Sequence, residues 1–171
     1  MKVTAVATRS GSWWAVDVPE VEGAFTQARR LDEVATMAAD AVALPADVVD
    51  LLRGGATCYL TTLMPDGSPQ LTQTWVDSDG RDVLVNTVVG HQKVRNVGLE
   101  PRVAVAICLP SNPSRYVEIR GVVTGTTTAD AGEHIEELAQ RYLGGPYPWF
   151  GGRTEQRVVL RITPTRLNRM G

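Results

Sequence analysis

From Gly54-Gly55 onward the chain is a succession of β-branched, apolar-rich runs, at residues 57–64, 70–76, 82–88, 103–109, 116–127 and 156–162. Pro65-Asp66-Gly67 and Asp77-Ser78-Asp79-Gly80 separate the first three with turn residues only. Two helical interruptions are predicted, a short one at 91–97 closed by Gly98 and a longer one at 131–143 closed by Gly144-Gly145. A parallel, doubly wound sheet needs a crossover helix after nearly every strand, which the hairpin turns exclude. The pattern predicts an α+β fold built on a six-stranded antiparallel β-barrel with helical additions.

Upstream of that region the texture differs. Residues 3–8 and 13–18 read as strands joined by Arg9-Ser10-Gly11-Ser12, and 24–27 as a third. A helix is predicted over 31–44, where Leu31, Val34, Ala35, Ala38, Ala41 and Val42 recur near a period of 3.6 and Asp32 and Glu33 sit at its positive end. Pro45 interrupts it, and 47–53 continue as a second helical segment ending at the glycine pair. With 171 residues, the chain suits one domain at 46–171 and a small β-β-β-α module at 1–45.

A net charge of −2 and a pI near 5.7 give no general pull toward nucleic acid or an anionic membrane, so neither is an expected partner. Any anion site must be local. Cys58 and Cys108 lie fifty residues apart in apolar runs, so both read as buried free thiols of a reducing compartment. The chain opens into alternating residues without the apolar stretch of a secretory leader, and no segment has the apolar length of a membrane span. A cytoplasmic protein is expected. No Ser-His-Asp, paired-carboxylate or metal-ligand pattern emerges, so catalytic residues stay unassigned and no metal is expected. That suits an enzyme whose chemistry belongs to an organic cofactor.

The informative stretch is Asn86-Thr87-Val88-Val89-Gly90-His91-Gln92-Lys93-Val94-Arg95-Asn96-Val97, which reads as strand, glycine turn and helix start. Helix-start N–H groups with a lysine in the first turn make a phosphate site. Solvated charges on an exposed turn would give the same pattern, and the residues alone leave both readings open.

Asn-Thr-x-x-Gly-x-x-Lys-x-Arg-Asn followed by Glu-Pro-Arg-Val-Ala-Val resembles the signature of the pyridoxamine-phosphate-oxidase-like family, in its deazaflavin (coenzyme F420)-dependent branch. Leu60-Thr61-Thr62-Leu63, Pro65 to Gln70, Trp75-Val76-Asp77, Arg115 to Gly121 and His134 to Gly144 match in the same order. His91 stands where that family commonly carries arginine. The resemblance covers about residues 46–171 and implies an FMN-binding-type split barrel, a homodimer with cofactor sites between protomers. Carried over by position, Lys93 would meet the cofactor phosphate, supported by Gln92 and Asn96. Asn86 and Thr87 would line the ring pocket, and Gln73 and Trp75 would flank the ring or substrate. Bland alternatives remain: Trp75 as core, Arg120-Gly121 as a strand bulge, His134 as a solvated helix residue. The aromatic stretch 146–150 and the segment from Arg153 to Arg157 are candidates to close the site from a neighbouring protomer.

Residues 1–44 resemble a second family, the HicB antitoxins, through Trp14 to Gln27 and the helix that follows. The strand that usually completes that domain is absent and no DNA-binding motif follows, so a docking or dimerising module without antitoxin function is the expectation. Three functions stay open. The first is an F420-dependent oxidoreductase moving a hydride from reduced deazaflavin to an unsaturated or quinone-like small molecule. The second is an FMN-dependent oxidase or reductase of the same fold, and the third a non-catalytic cofactor-binding regulatory protein linked to the N-terminal module.

Overall fold

A computed structural model describes residues 3–21 and 23–170. Met1, Lys2, Glu22 and Gly171 lie outside the described residues. The chain divides into two compact units, Met1–Leu44 and Pro45–Gly171.

In the first unit, strands β1 (Val6–Ser10), β2 (Trp13–Asp17) and β3 (Phe25–Ala28) form an antiparallel sheet in that order. Strand β1 runs later than the predicted 3–8 because Ser10 pairs directly with Trp13, so Gly11-Ser12 suffice as a two-residue turn with Gly11 at φ 62°. The predicted 31–44 helix starts as a 3-10 turn, Leu31–Glu33, and continues as α1 (Val34–Ala41). It stops short of Leu44 because the residue before a proline is driven out of the helical region. Val16, Val18, Ala24, Ala28, Val34 and Ala38 form this unit's core.

The second unit is an antiparallel sheet of seven strands. They are β4 (Thr57–Leu63), β5 (Pro69–Thr74), β6 (Asp77–Ser78), β7 (Val83–Val88), β8 (Arg102–Leu109), β9 (Asn112–Thr127) and β10 (Arg157–Met170). The spatial order is β5-β4-β8-β9-β10-β7-β6, and the sheet curls into a half-barrel. Three helices accompany it, α2 (Ala46–Arg53), α3 (Gln92–Leu99) and α4 (Ala131–Leu143). Among the described residues no helix is long and apolar enough to cross a membrane.

Two readings of the strands need correction. Asp77 and Ser78 were read as turn, yet they pair with Leu84 and Val83 and form a seventh strand. The turn proper begins at Asp79, whose Oδ1 accepts the N–H groups of Arg81 and Asp82. Strand β10 runs well past the predicted 162, through Pro164. Beyond Ile162 it has only β9 as a neighbour, so a proline lacking an N–H is tolerated on the open side. A register shift leaves Thr165 extra opposite Arg120-Gly121, which places the bulge on β10. Cys58 is buried and its thiol is pushed up to about 12 by desolvation, whereas Cys108 is only half-buried.

The core is apolar and continuous from sheet to helix: Leu60, Ile107, Ile119, Leu160 and Ile162 are sealed off, as are Leu52 of α2 and Leu138 of α4. Helix α4 buries Ala131, Ile135, Leu138 and Ala139, one face of a 3.6-residue period, and ends at Gly144 with φ 69°. Its last turn is tied to the β5–β6 connection. The Tyr142 hydroxyl donates to Ala56 O at 2.8 Å and accepts from Val76 N at 3.2 Å, while Arg141 pairs with Asp77 at 3.1 Å. Burial pushes the Asp77 carboxyl up, but His134, Arg141 and the Ser78 N–H together outweigh it and hold the group at about 2.

Two outcomes follow for stability. A Cβ on Gly121 would lie 2.7 Å from Thr163 O and 2.8 Å from Ile162 Cγ2, so Gly121→Ala should lower urea-unfolding stability by roughly 1–3 kcal/mol. Because its folded pKa is depressed, Asp77 contributes stability that is full above its ordinary value of 3.8 and lost as pH falls toward about 2. The stability gap between wild type and Asp77→Asn should therefore be on the order of 2 kcal/mol at pH 6 and shrink between pH 5 and pH 2. A gap that stays constant over that range would remove Asp77 as an ionised anchor.

Candidate functional site

Strand β7 ends at Val88, and the chain reverses through Gly90 at φ 89°, with the His91 N–H donating to Val88 O at 3.1 Å. That conformation favours glycine, and it starts α3 one residue later with His91 as its N-cap in extended geometry. Lys93 falls in the first turn of α3, where helical N–H groups have no partner within the helix.

Lys93 borders a cleft of about 400 Å³, within the range of small-molecule sites. Of the seven residues predicted for the site, Gln73, Trp75, Asn86, Thr87 and Lys93 line it. Gln92 and Asn96 do not. The Gln92 Nε2 donates to Asn96 Oδ1 at 2.7 Å, and fully buried Asn96 donates to Thr62 Oγ1 at 2.9 Å and Gln70 Oε1 at 3.0 Å. Their amides fasten α3 to β4 and β5.

One wall is aromatic. Trp75 stacks on Tyr142 with ring centroids 5.1 Å apart and planes 8° apart, and Tyr147 meets Trp75 edge-on at 5.8 Å. Glu136 of α4 fixes the 144–156 connection by accepting from Tyr147 N and Trp149 Nε1, both at 2.8 Å. Phe150, 80% exposed, packs edge-on against Tyr147 at the cleft's margin. Tyr147, Phe150 and Arg157 thus line the cleft of their own chain, although the sequence had suggested this segment for a neighbour's site.

Two cations border the same cleft. Arg157, only 8% exposed, donates from Nε to Asn86 Oδ1 at 2.8 Å and lies over the Tyr147 ring at 5.1 Å. Lys93 is half-buried, and desolvation together with the charge of Arg157 pushes its ammonium pKa down. No carboxylate lines the cleft. Among the described residues neither Lys93 nor Arg157 has an ion-pair partner, so two partly desolvated cations border one cleft. His91 is pushed down by burial and by Lys93, which favours the neutral imidazole, and its Nδ1 lies 3.2 Å from Thr87 Oγ1. The arrangement can hold an anionic group beside a flat aromatic one.

His134 was expected in solvent, since Glu133 and Glu136 flank it. Its side chain is instead 14% exposed, wedged between Asn86 of β7 and Asp77. A signal was available: position 134 sits on the flank of the 131/135/138 stripe, which turns it toward the sheet. Arg157 was marked only through the basic character of the 153–157 segment, as a candidate to close a neighbour's site, and it lines the cleft of its own chain.

The model of the pyridoxamine 5'-phosphate oxidase family matches residues 44–171. Among solved structures, an F420 reductase is 31% identical, with a TM-score of 0.64 over 73% of this chain and 98% of its own. A conserved hypothetical protein of Mycobacterium tuberculosis is 24% identical, with a TM-score of 0.57 over 75% and 86%. General Stress Protein 26 of Bacillus anthracis is 18% identical, with a TM-score of 0.51 over 70% and 88%, and these last two speak for the fold alone. No curated protein matches the chain. With the half-barrel, the glycine turn and the lysine-bearing helix start in place, the chain belongs through residues 44–171 to the pyridoxamine 5'-phosphate oxidase-like split-barrel family.

Proposed function

We propose that the protein is an F420-dependent oxidoreductase of the cytoplasm, acting on an unsaturated or quinone-like small molecule. The observation that carries this reading is the cleft itself, where Lys93 and Arg157 face the same space without a carboxylate while Trp75 and Tyr147 wall it. Two unpaired, partly desolvated cations in one pocket are costly unless an anion joins them. The 31% identity to an F420 reductase supports deazaflavin as that ligand.

In this reading the Lys93 ammonium and the first N–H groups of α3 receive the cofactor phosphate. Asn86, Thr87 and Trp75 border the ring, and Gln73 faces it from the end of β5. Bound deazaflavin would supply the hydride chemistry, leaving the protein to orient the ring and keep water from it. Phe150, exposed at the margin, would be covered by a second copy of the chain, making the working form a homodimer. Arg157 holds Asn86 and Tyr147 together, so its side chain links the polar and aromatic walls.

Replacing Lys93 tests the reading. Hydrogen bonds to charged groups contribute about 1.5–3 kcal/mol, so Lys93→Ala should weaken cofactor binding by roughly one to two orders of magnitude with the fold unchanged by circular dichroism. Lys93→Arg should be milder. Fluorescence titration with F420 and with FMN at matched ionic strength reads this directly. A loss confined to F420 supports the deazaflavin reading, a loss confined to FMN replaces it with the flavin one, and unchanged affinity for both removes Lys93 from the site.

A further inference from the structure

Asn86 is a buried polar group lining the cleft, and its orientation follows from its partners. Arginine has donors only, so the atom accepting from Arg157 Nε at 2.8 Å must be the amide oxygen. The amide nitrogen then donates to Ala131 O at 2.7 Å, a carbonyl that can only accept. Both contacts give the same answer. The second amide hydrogen points to His134 Nδ1, 3.2 Å away, so that ring nitrogen must carry a lone pair. The ring proton therefore sits on Nε2, which is buried and faces Asp77 Oδ2 at 3.4 Å.

We propose that His134 is a positioning residue for the cleft: as the neutral Nε2–H tautomer it accepts from Asn86 and so holds the amide where it can clamp Arg157. The proposal deepens the cofactor reading and rests on it for what the cleft holds. A proton added at Nδ1 would set two donors against each other. Turning the amide over gives no relief, since its nitrogen would then face the Arg157 donor and its oxygen the Ala131 carbonyl. Protonation of His134 thus loosens Arg157 at the cleft wall.

The charges around the ring are few. Asp77, paired with Arg141 of the same helix, faces Nε2, and Arg157 of β10 reaches Nδ1 through Asn86. Asp130 and Arg161 share with His134 a separate cavity of about 270 Å³. Loss of the His134 acceptor should therefore loosen Arg157 and weaken anion binding in the cleft.

The chain has two histidines, so ring resonances are assigned by one variant, His134→Asn, which keeps an acceptor where Nδ1 was and cannot titrate. In the unliganded full chain at pH 7.5, nitrogen-15 NMR should show His134 as the neutral Nε2–H tautomer. The Arg157 Nε–H should be protected from exchange in wild type and in His134→Asn, and should lose protection in His134→Ala, which removes the acceptor. F420 titrated by fluorescence at pH 7.5 should bind about tenfold more weakly to His134→Ala than to wild type, with affinity largely restored in His134→Asn. An Nδ1–H tautomer, or Arg157 protection that is unchanged in His134→Ala, would overturn the proposal, as would equal F420 affinity in the three proteins. If wild type binds neither F420 nor FMN, the cofactor reading fails by itself, and the two measurements without ligand still decide the role of His134.

Discussion

Strand β10 pairs with β7 so that Arg157 lies opposite Val88 and Val159 opposite Asn86. Side chains alternate along a strand, so Arg157 and Asn86 stand diagonally on one face, near enough for the 2.8 Å bond that joins residues 71 positions apart in sequence. A slip of one residue would turn Arg157 to the other face and bury a cation among Val85, Leu160 and Ile162. The apolar pattern of β10 forbids that slip. The same hydrophobic alternation that closes the core therefore sets the cationic wall of the cleft, and structure and site share one register.

The electrostatics follow from that geometry. The chain as a whole carries a net charge of −2, yet its cleft presents two cations and no carboxylate. Several arginines outside the cleft are matched to nearby acids: Arg102 with Glu100 at 2.7 Å, Arg120 with Glu118 at 2.7 Å and Arg161 with Asp82 at 2.8 Å. The first two pairs are partly exposed and each contributes little to stability.

Much of this could be read from the sequence because glycine and proline mark backbone events that have few alternatives. Gly90 announced the turn that starts α3, Gly144-Gly145 the end of α4, and Pro45 the break after the first unit. What escaped depends on pairing between distant segments. Asp77-Ser78 carries turn composition, and only the β7 edge makes it a strand. Strand β10 outruns the predicted 162 because past its β7 neighbour a proline at 164 is harmless. Burial of His134 follows from the α4 stripe together with the position of β7, and half of that information is tertiary. Arg157 was the hardest, since a charged residue opening a strand reads as a solvated end until the register supplies Asn86.

Gln92 and Asn96 show how a correct location can carry a different burden. Asn96 is fully buried and its amide is spent on Thr62, Gln70 and Gln92, which draws three elements, α3, β4 and β5, to one point. A buried polar network is costly when any member is missing, so it rigidifies what it joins. Here it joins the first turn of α3 to β4 and β5, and the Arg95 guanidinium adds a bond to Gln92 and another to the Gly90 carbonyl. Lys93 is placed between these anchors. An ammonium on a flexible stem loses rotamer entropy when it holds an anion, and a helix start that is already immobile leaves only the side chain to order. The two amides thus serve the cleft through the position of the backbone that carries Lys93.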